Sequence, residues 1–241
     1  MLKIKSLAFV LCFMSCFFLS NSINAQKINQ FDKNKKRTGI WKKYYNNKRI
    51  RYVGRFKDGK EIGTFKYYDV RTSKFPTAVK TFKAKTDSAY VKFFTLSGKL
   101  QSEGWMLLRN RIGEWTYYFS NGKLFSKEFY KEGKLEGTVT NYYKNGKMLE
   151  STEYINGMKN GISKKYSDEG ILIEAVTFKN DVLNGEAKYF ELNGNLRERG
   201  VYQNGKRYGK WEFFLDGEVI DEKKKRELKK FKPKKGGNDK N

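Results

Sequence analysis

Histidine is absent from this chain of 241 residues, and its two cysteines, Cys12 and Cys16, both fall in the first apolar run. That excludes Ser-His-Asp and Cys-His catalysis, and beyond residue 25 it also excludes Cys/His zinc sites and structural disulfides. Acidic side chains are scarce: 26 Asp and Glu stand against 51 Lys and Arg, a formal net charge of +25. Such an excess suits anionic partners, although a solvated lysine-rich sheet face accounts for it equally well. Glu128, Glu132, Glu136, Asp168, Glu169 and Glu174 include carboxylate pairs of the kind glycosidases need. On a basic, strand-rich surface they read as ion-pair partners, so the expectation is no enzyme, no cofactor and no metal. No glycine-rich loop leads into a helix, which removes the phosphate cradle.

Long apolar runs are confined to residues 7–19. Those thirteen residues are too short for a membrane span, which takes roughly 20. With Lys3 and Lys5 before them and Asn24-Ala25-Gln26 after, residues 1–25 read as a secretory signal cut between Ala25 and Gln26. Lipid attachment at Cys16 is the minor alternative. The expected destination is the periplasm, the cell envelope or the medium.

What the chain has in abundance is repetition. A glycine recurs at Gly39, Gly63, Gly113, Gly137, Gly161, Gly185 and Gly209, at intervals of 24 residues except one of 50. That gap hides a worn unit beginning at Ala89, with two extra residues in segment 71–77 around Pro76. Five residues after each marker stands an aromatic: Tyr44, Tyr68, Phe94, Tyr118, Tyr142, Tyr166, Phe190 and Phe214. Asn-Gly or Asp-Gly recurs at 58, 121, 145, 156, 193, 204 and 216. Between aromatic and β-branched runs, this dipeptide marks a two-residue hairpin turn with both residues at positive φ. Each unit therefore reads as strand, turn, strand, turn, and eight units span 39–220.

Alternation assigns the faces. Apolar residues recur eleven after the marker (Ile50, Leu100, Leu124, Met148, Leu172, Leu196, Ile220) and aromatic or Met residues seventeen after it (Phe56, Met106, Tyr130, Tyr154, Phe178, Tyr202). The even separation puts both rows on one side. The fold class is all-β: an elongated single antiparallel sheet of about sixteen strands, ~75 Å long at ~4.8 Å per strand. Residues 26–38 form a basic lead-in, and 221–241 a basic tail with no apolar face to bury, expected to be disordered.

The unit resembles the MORN repeat, in particular the bacterial MORN-repeat variant of YwqK-type, antitoxin-like proteins. Tyr202, Asn204, Gly205, Gly209, Trp211, Phe213 and Phe214 carry the resemblance most clearly. It implies stacked hairpins used for protein association and, in some members, lipid contact. Ala89, Val139, Ser163 and Ala187 depart from the glycine or the Trp-like position, so those units should pack differently. The leading expectation is an exported, non-enzymatic scaffold that binds another protein at the cell envelope. An antitoxin role, or binding of anionic lipid or glycan, is the alternative. Partner-binding candidates are Trp41, Lys43, Tyr45, Trp115, Trp211, Lys164 and Lys165, where basic and aromatic residues interleave. Nucleic acid is disfavoured, because the period of 24 makes these aromatics ladder residues rather than stacking platforms for bases.

Overall fold

The computed structural model describes residues 27–221 and Arg226. The signal segment with its Ala25/Gln26 cut, Cys16, and the basic tail beyond Asp221 other than Arg226 lie outside the described residues. The described chain is one antiparallel sheet of 18 strands. They are β1 (Gln30–Phe31), β2 (Arg37–Tyr44), β3 (Ile50–Lys57), β4 (Lys60–Tyr67), β5 (Ala78–Phe82), β6 (Ser88–Phe94), β7 (Leu100–Leu107), β8 (Asn110–Tyr118) and β9 (Leu124–Lys131). Then follow β10 (Lys134–Leu135), β11 (Gly137–Tyr142), β12 (Met148–Ile155), β13 (Met158–Tyr166), β14 (Leu172–Lys179), β15 (Val182–Phe190), β16 (Leu196–Gln203), β17 (Lys206–Leu215) and β18 (Glu218–Ile220). Pairing runs in chain order, and β10 and β11 both bond β9 as two pieces of one strand. The two strands beyond sixteen are thus β1, formed by the lead-in, and this split.

Burial follows the expected alternation. On β7 and β9 the residues eleven, thirteen, fifteen and seventeen after the marker lie on the covered side, which we call the inner face. The core itself, however, runs along the residue two after each marker. Phe65, Val91, Trp115, Val139, Ser163 and Ala187 are all buried there. The aromatics five after the marker are half-buried or, at Tyr44, exposed, because they sit beside the turns. Six of the eight occupy equivalent places, each opposite the apolar residue eleven after its marker, from Tyr44 with Ile50 to Phe190 with Leu196.

A single sheet can bury a tryptophan only if its neighbours make room. Gly104 stands opposite Trp115, and a Cβ there would come within 2.6 Å of the indole. Gly54 is held close under Phe65, and Gly200 under Trp211, in the same way. Where the ring is missing, the neighbour grows: Thr152 faces Ser163 and Val176 faces Ala187. Thr152 and Ser163 also satisfy each other, with their hydroxyls 2.7 Å apart in the buried row. Across these five junctions the spine thus keeps its volume while changing its residue types, as close packing demands.

The marker glycines allow this geometry. All seven adopt positive φ, from 64° at Gly63 and Gly113 to 121° at Gly161 and Gly185. At each repeat junction with such a glycine the ladder slips by two residues. Trp105 faces Ile112, for instance, while Gly104 faces Trp115. This is a bulge, and L side chains resist its left-handed backbone. Ala89 shows the converse. It is not among the positive-φ residues, and β5 to β6 pairs without a slip from Ala78 with Phe93 to Phe82 with Ala89. The displaced residues go into the turn at 83–87 instead. The loop at 68–77 is likewise longer than the other turns on its edge, because β5 is short as well as preceded by an insertion. The offset concealed Phe82, which packs on Phe65 at 5.8 Å.

The hairpin turns are of two kinds, a correction to the uniform expectation. At Asp58-Gly59, Asn156-Gly157, Asn204-Gly205 and Asp216-Gly217 both residues have positive φ. At Asn121-Gly122, Asn145-Gly146 and Asn193-Gly194 only the glycine does. There the asparagine Oδ1 accepts the N–H two residues on, at 3.1, 2.9 and 2.9 Å, which holds a wider turn. Apart from Asp216-Gly217, which closes the last hairpin on the wide-turn edge, the two kinds lie on opposite long edges, and both edges bond to the neighbouring repeat. Gly133 and Gly157 donate N–H to the carbonyls of Arg111 and Leu135 at 3.0 and 2.8 Å. On the other edge the Tyr45 and Tyr143 hydroxyls donate to the carbonyls of Tyr68 and Tyr166, each at 2.8 Å.

These observations fix two stability predictions, read as free energies from urea unfolding. Gly137→Ala meets nothing within 4 Å, so its expected loss of about 1–2 kcal/mol comes from backbone strain alone. Gly104→Thr should cost about 1–3 kcal/mol by overpacking and Trp115→Ser about 3–5 kcal/mol by loss of the ring. Together they imitate the Thr152/Ser163 pair and should fall short of the sum by more than about 0.5 kcal/mol. Strict additivity would contradict the size-matched spine.

Candidate functional site

Inner-face tyrosines form the most chemically suggestive cluster. The Tyr130 hydroxyl donates to Glu128 Oε2 at 2.5 Å, accepts from Arg111 at 3.1 Å and meets the Tyr117 hydroxyl at 3.3 Å. A second copy joins Tyr189 to Tyr202 at 3.3 Å, with Arg207 donating to Glu198 at 2.8 Å. Burial pushes the Tyr117, Tyr130 and Tyr189 phenols above the usual 10.0, and hydrogen bonds to Glu128 or a partner tyrosine add to it. A general base needs a pKa near the working pH, and these groups move away from it. They are clasps. Arg111 also lies 4.8 Å above the Trp115 ring, and Arg207 3.9 Å above Trp211, so each arginine roofs the spine.

Two of the six carboxylates that could have paired for catalysis have structural tasks. Glu128 serves Tyr130, and Glu136 accepts the Asn156 N–H at 2.9 Å. Glu132 is a turn residue with φ 53°. Among the described residues no group of three or more His, Cys, Asp or Glu is placed to hold a metal, and no helix is long and apolar enough to cross a membrane.

The binding candidates do not converge. Trp115 is fully buried, its Nε1–H donating to the Trp105 carbonyl at 2.9 Å, so it cannot meet a partner. That corrects the expectation for Trp115: interleaving with basic residues looks alike in a ladder and in a surface. Trp41 is half-buried between Phe31 and Phe56, with ring centroids 5.1 and 5.8 Å away. Tyr45 is committed to the turn edge through Tyr68. Trp211 is half-buried, and its Nε1 has no hydrogen-bond partner. Lys43 and Lys165 are exposed along the inner-face row, whereas Lys164 points to the outer face.

Two surface features were missed in the sequence. Over the worn unit, where Val91 replaces a ring, a groove of about 460 Å³ opens between Lys60, Lys80 and Arg109, above Phe82, Val91 and Met106. On the opposite, outer face a cluster of large apolar side chains spans β6 to β9. Tyr90 packs on Trp105 at 5.4 Å, Trp105 faces Ile112, and Leu107 and Phe129 are exposed beside them. Phe125, 42% exposed, forms a separate pair near the wide-turn edge, meeting Phe119 edge-on at 5.0 Å. In sequence these residues alternate with the core and look like its noise.

The family model of the MORN repeat variant matches residues 37–58, 111–132, 135–156, 159–180 and 183–204. Each match opens two residues before a marker glycine and closes on the first residue of a tight turn, so it frames one hairpin of the sheet. The strands with shifted pairing, β4 to β6, lie between the first and second match. No curated protein matches the chain.

The tyrosine clasps give a pH prediction. A raised folded pKa stabilises below the unfolded value, near pH 10, and that stability is lost as pH rises through the folded value. Phenolate absorbance should therefore lag behind free tyrosine and rise together with loss of the β-sheet circular dichroism. Complete ionisation near pH 10 with the sheet intact would contradict it.

Proposed function

We propose that this array of MORN-variant hairpins is an exported, non-enzymatic scaffold that holds another protein at the cell envelope. The observation that carries the reading is the apolar cluster of Tyr90, Trp105, Ile112, Leu107 and Phe129 on the outer face. Contiguous exposed apolar patches mark association surfaces, and aromatic anchors dominate their energetics. Hydrogen bonds along both edges and a continuous spine couple each repeat to the next, so a partner would meet a pre-ordered surface with little entropy to lose. Trp41, Tyr45 and Trp211 then serve mainly the scaffold, Lys43 and Lys165 lie exposed on the inner face, and Lys164 faces the same side as the partner.

The antitoxin role implied by the YwqK-type resemblance calls for a different compartment. It requires a cytoplasmic chain with residues 1–25 retained, so N-terminal sequencing after fractionation separates the two.

The decisive experiment is photo-crosslinking from position 107 in cells, with and without Trp105→Ser plus Phe129→Ser. Both side chains are partly exposed, and with Trp105 packed on Tyr90 the expected cost to folding is about 1–3 kcal/mol, which leaves the sheet folded. The reading expects one dominant crosslinked envelope protein, lost in the double variant although the sheet signal is kept. An unchanged crosslink, or none from wild type, would overturn it.

A further inference from the structure

A second pattern crosses the outer face, meeting the apolar cluster where Lys92 lies 5.8 Å from the Tyr90 ring. Cross-strand register puts Lys42 opposite Val53, Val53 opposite Lys66, Lys66 opposite Val79 and Val79 opposite Lys92. The line continues from Lys92 to Glu103, Thr116, Lys127 and Thr140. From Thr140 it passes to Ser151, Lys164, Ala175, Lys188, Arg199 and Glu212. Every step is a direct pairing, so the row is unbroken from β2 to β17 although bulges interrupt the ladder on either side of it. Seven cations stand in this line: Lys42, Lys66, Lys92, Lys127, Lys164, Lys188 and Arg199.

The geometry points to a binding track for a linear anionic polysaccharide, one bearing a carboxylate about once per disaccharide. Charge spacing is the first argument. Most neighbouring cations lie two or three strands apart, which is about 10–14 Å at ~4.8 Å per strand. A disaccharide of linked hexopyranoses spans about the shorter of these intervals, and flexible lysine stems absorb the rest. Between the cations stand Val53, Val79 and Ala175, which suit the apolar faces of sugar rings, and Thr116, Thr140 and Ser151, which can bond sugar hydroxyls.

The same features disfavour other polyanions. Phosphates recur every ~3.4 Å along a nucleic-acid strand, several times denser than the row. Aromatics touch the row only at scattered points, Tyr90 beside Lys92 at 5.8 Å, Tyr118 on Glu103 and Phe214 beside Arg199 at 5.5 Å, which do not form the successive platforms that carry much of single-strand binding. A bilayer is flat, whereas a sheet twists by roughly 20–25° per strand, so a line this long cannot lie on a plane. A flexible polymer can follow it.

Existing ion pairs do not block the track. Lys92 meets Glu103 at 2.8 Å, Lys127 meets Glu114 at 3.6 Å, Lys188 meets Glu186 at 3.5 Å and Arg199 meets Glu212 at 2.5 Å. All four cations are about half exposed and can still meet a polymer carboxylate, and the pairs of Lys127 and Lys188, whose carboxylates are also exposed, are worth little. Lys42, Lys66 and Lys164 hold no ion pair among the described residues.

The test is calorimetric titration of the full mature protein with hyaluronan oligosaccharides of defined length, which carry one carboxylate per disaccharide. Affinity should rise with length up to about seven disaccharides, one per cation, and fall with salt. Lys42→Gln, Lys66→Gln, Lys164→Gln and Lys188→Gln combined should weaken binding at least about tenfold. A control that removes equal charge near the turns, Lys99→Gln, Lys123→Gln, Lys131→Gln and Lys179→Gln, should stay within about twofold. Equal losses in both sets, no binding of hyaluronan, or row-dependent binding of phosphatidylglycerol vesicles or poly(dT) instead would overturn the proposal. The crosslink from position 107 is measured on the same variants. Its survival in the row variant keeps this proposal separate from the scaffold reading.

Discussion

A backbone that turns left-handed at one glycine per repeat is the constraint on which the rest depends. The positive φ lets two residues bulge out of the ladder at each junction. The large residue two places on then reaches across the neighbouring strand and lies over a glycine or other small side chain. Burying such a ring stabilises the sheet by about 1.5–3 kcal/mol. The worn unit shows the dependence from the other side. With Ala89 in place of glycine the bulge is gone, the turn lengthens, and a groove opens where the ring would be.

This arrangement also decides which parts of the surface are available. Because the spine is built on one face and roofed by Arg111 and Arg207, the inner face is largely spent on stability. The outer face makes few demands on packing and is where composition drifts. In the repeats from Ala89 to Lys134 it gathers aromatics, and along its midline it gathers lysines. The two features share this face and touch where Lys92 lies beside Tyr90. The aromatic cluster lies toward the tight-turn edge, while the cation row runs down the centre.

The period, the strand alternation and the single-sheet architecture were legible from glycine and aromatic spacing alone. Position classes that hold by type, such as the aromatics at Tyr118 or Tyr142, stood out, yet they are not the core. The core is held by summed volume: Gly104 with Trp115, Thr152 with Ser163 and Val176 with Ala187 are equivalent pairs that share no residue type. A search by residue class cannot see that, which is why Trp115 looked like a surface residue. The Asn-Gly turns looked uniform because φ is set by how many residues the flanking strands leave over. The cation row was hidden because Lys92 and Lys127 occupy different places in their repeats. Only the pairing register aligns them.

Excision of part of the array tests the central claim most directly. Removing residues 137–160 joins two junctions in phase, whereas removing 137–159 shifts every later side chain to the other face. Thermal unfolding followed by circular dichroism should show a cooperative β-sheet for the 24-residue excision, with stability reduced by about one repeat's share, and no cooperative transition for the 23-residue one. Equal folding of both, or failure of the 24-residue excision, would contradict a sheet held together junction by junction.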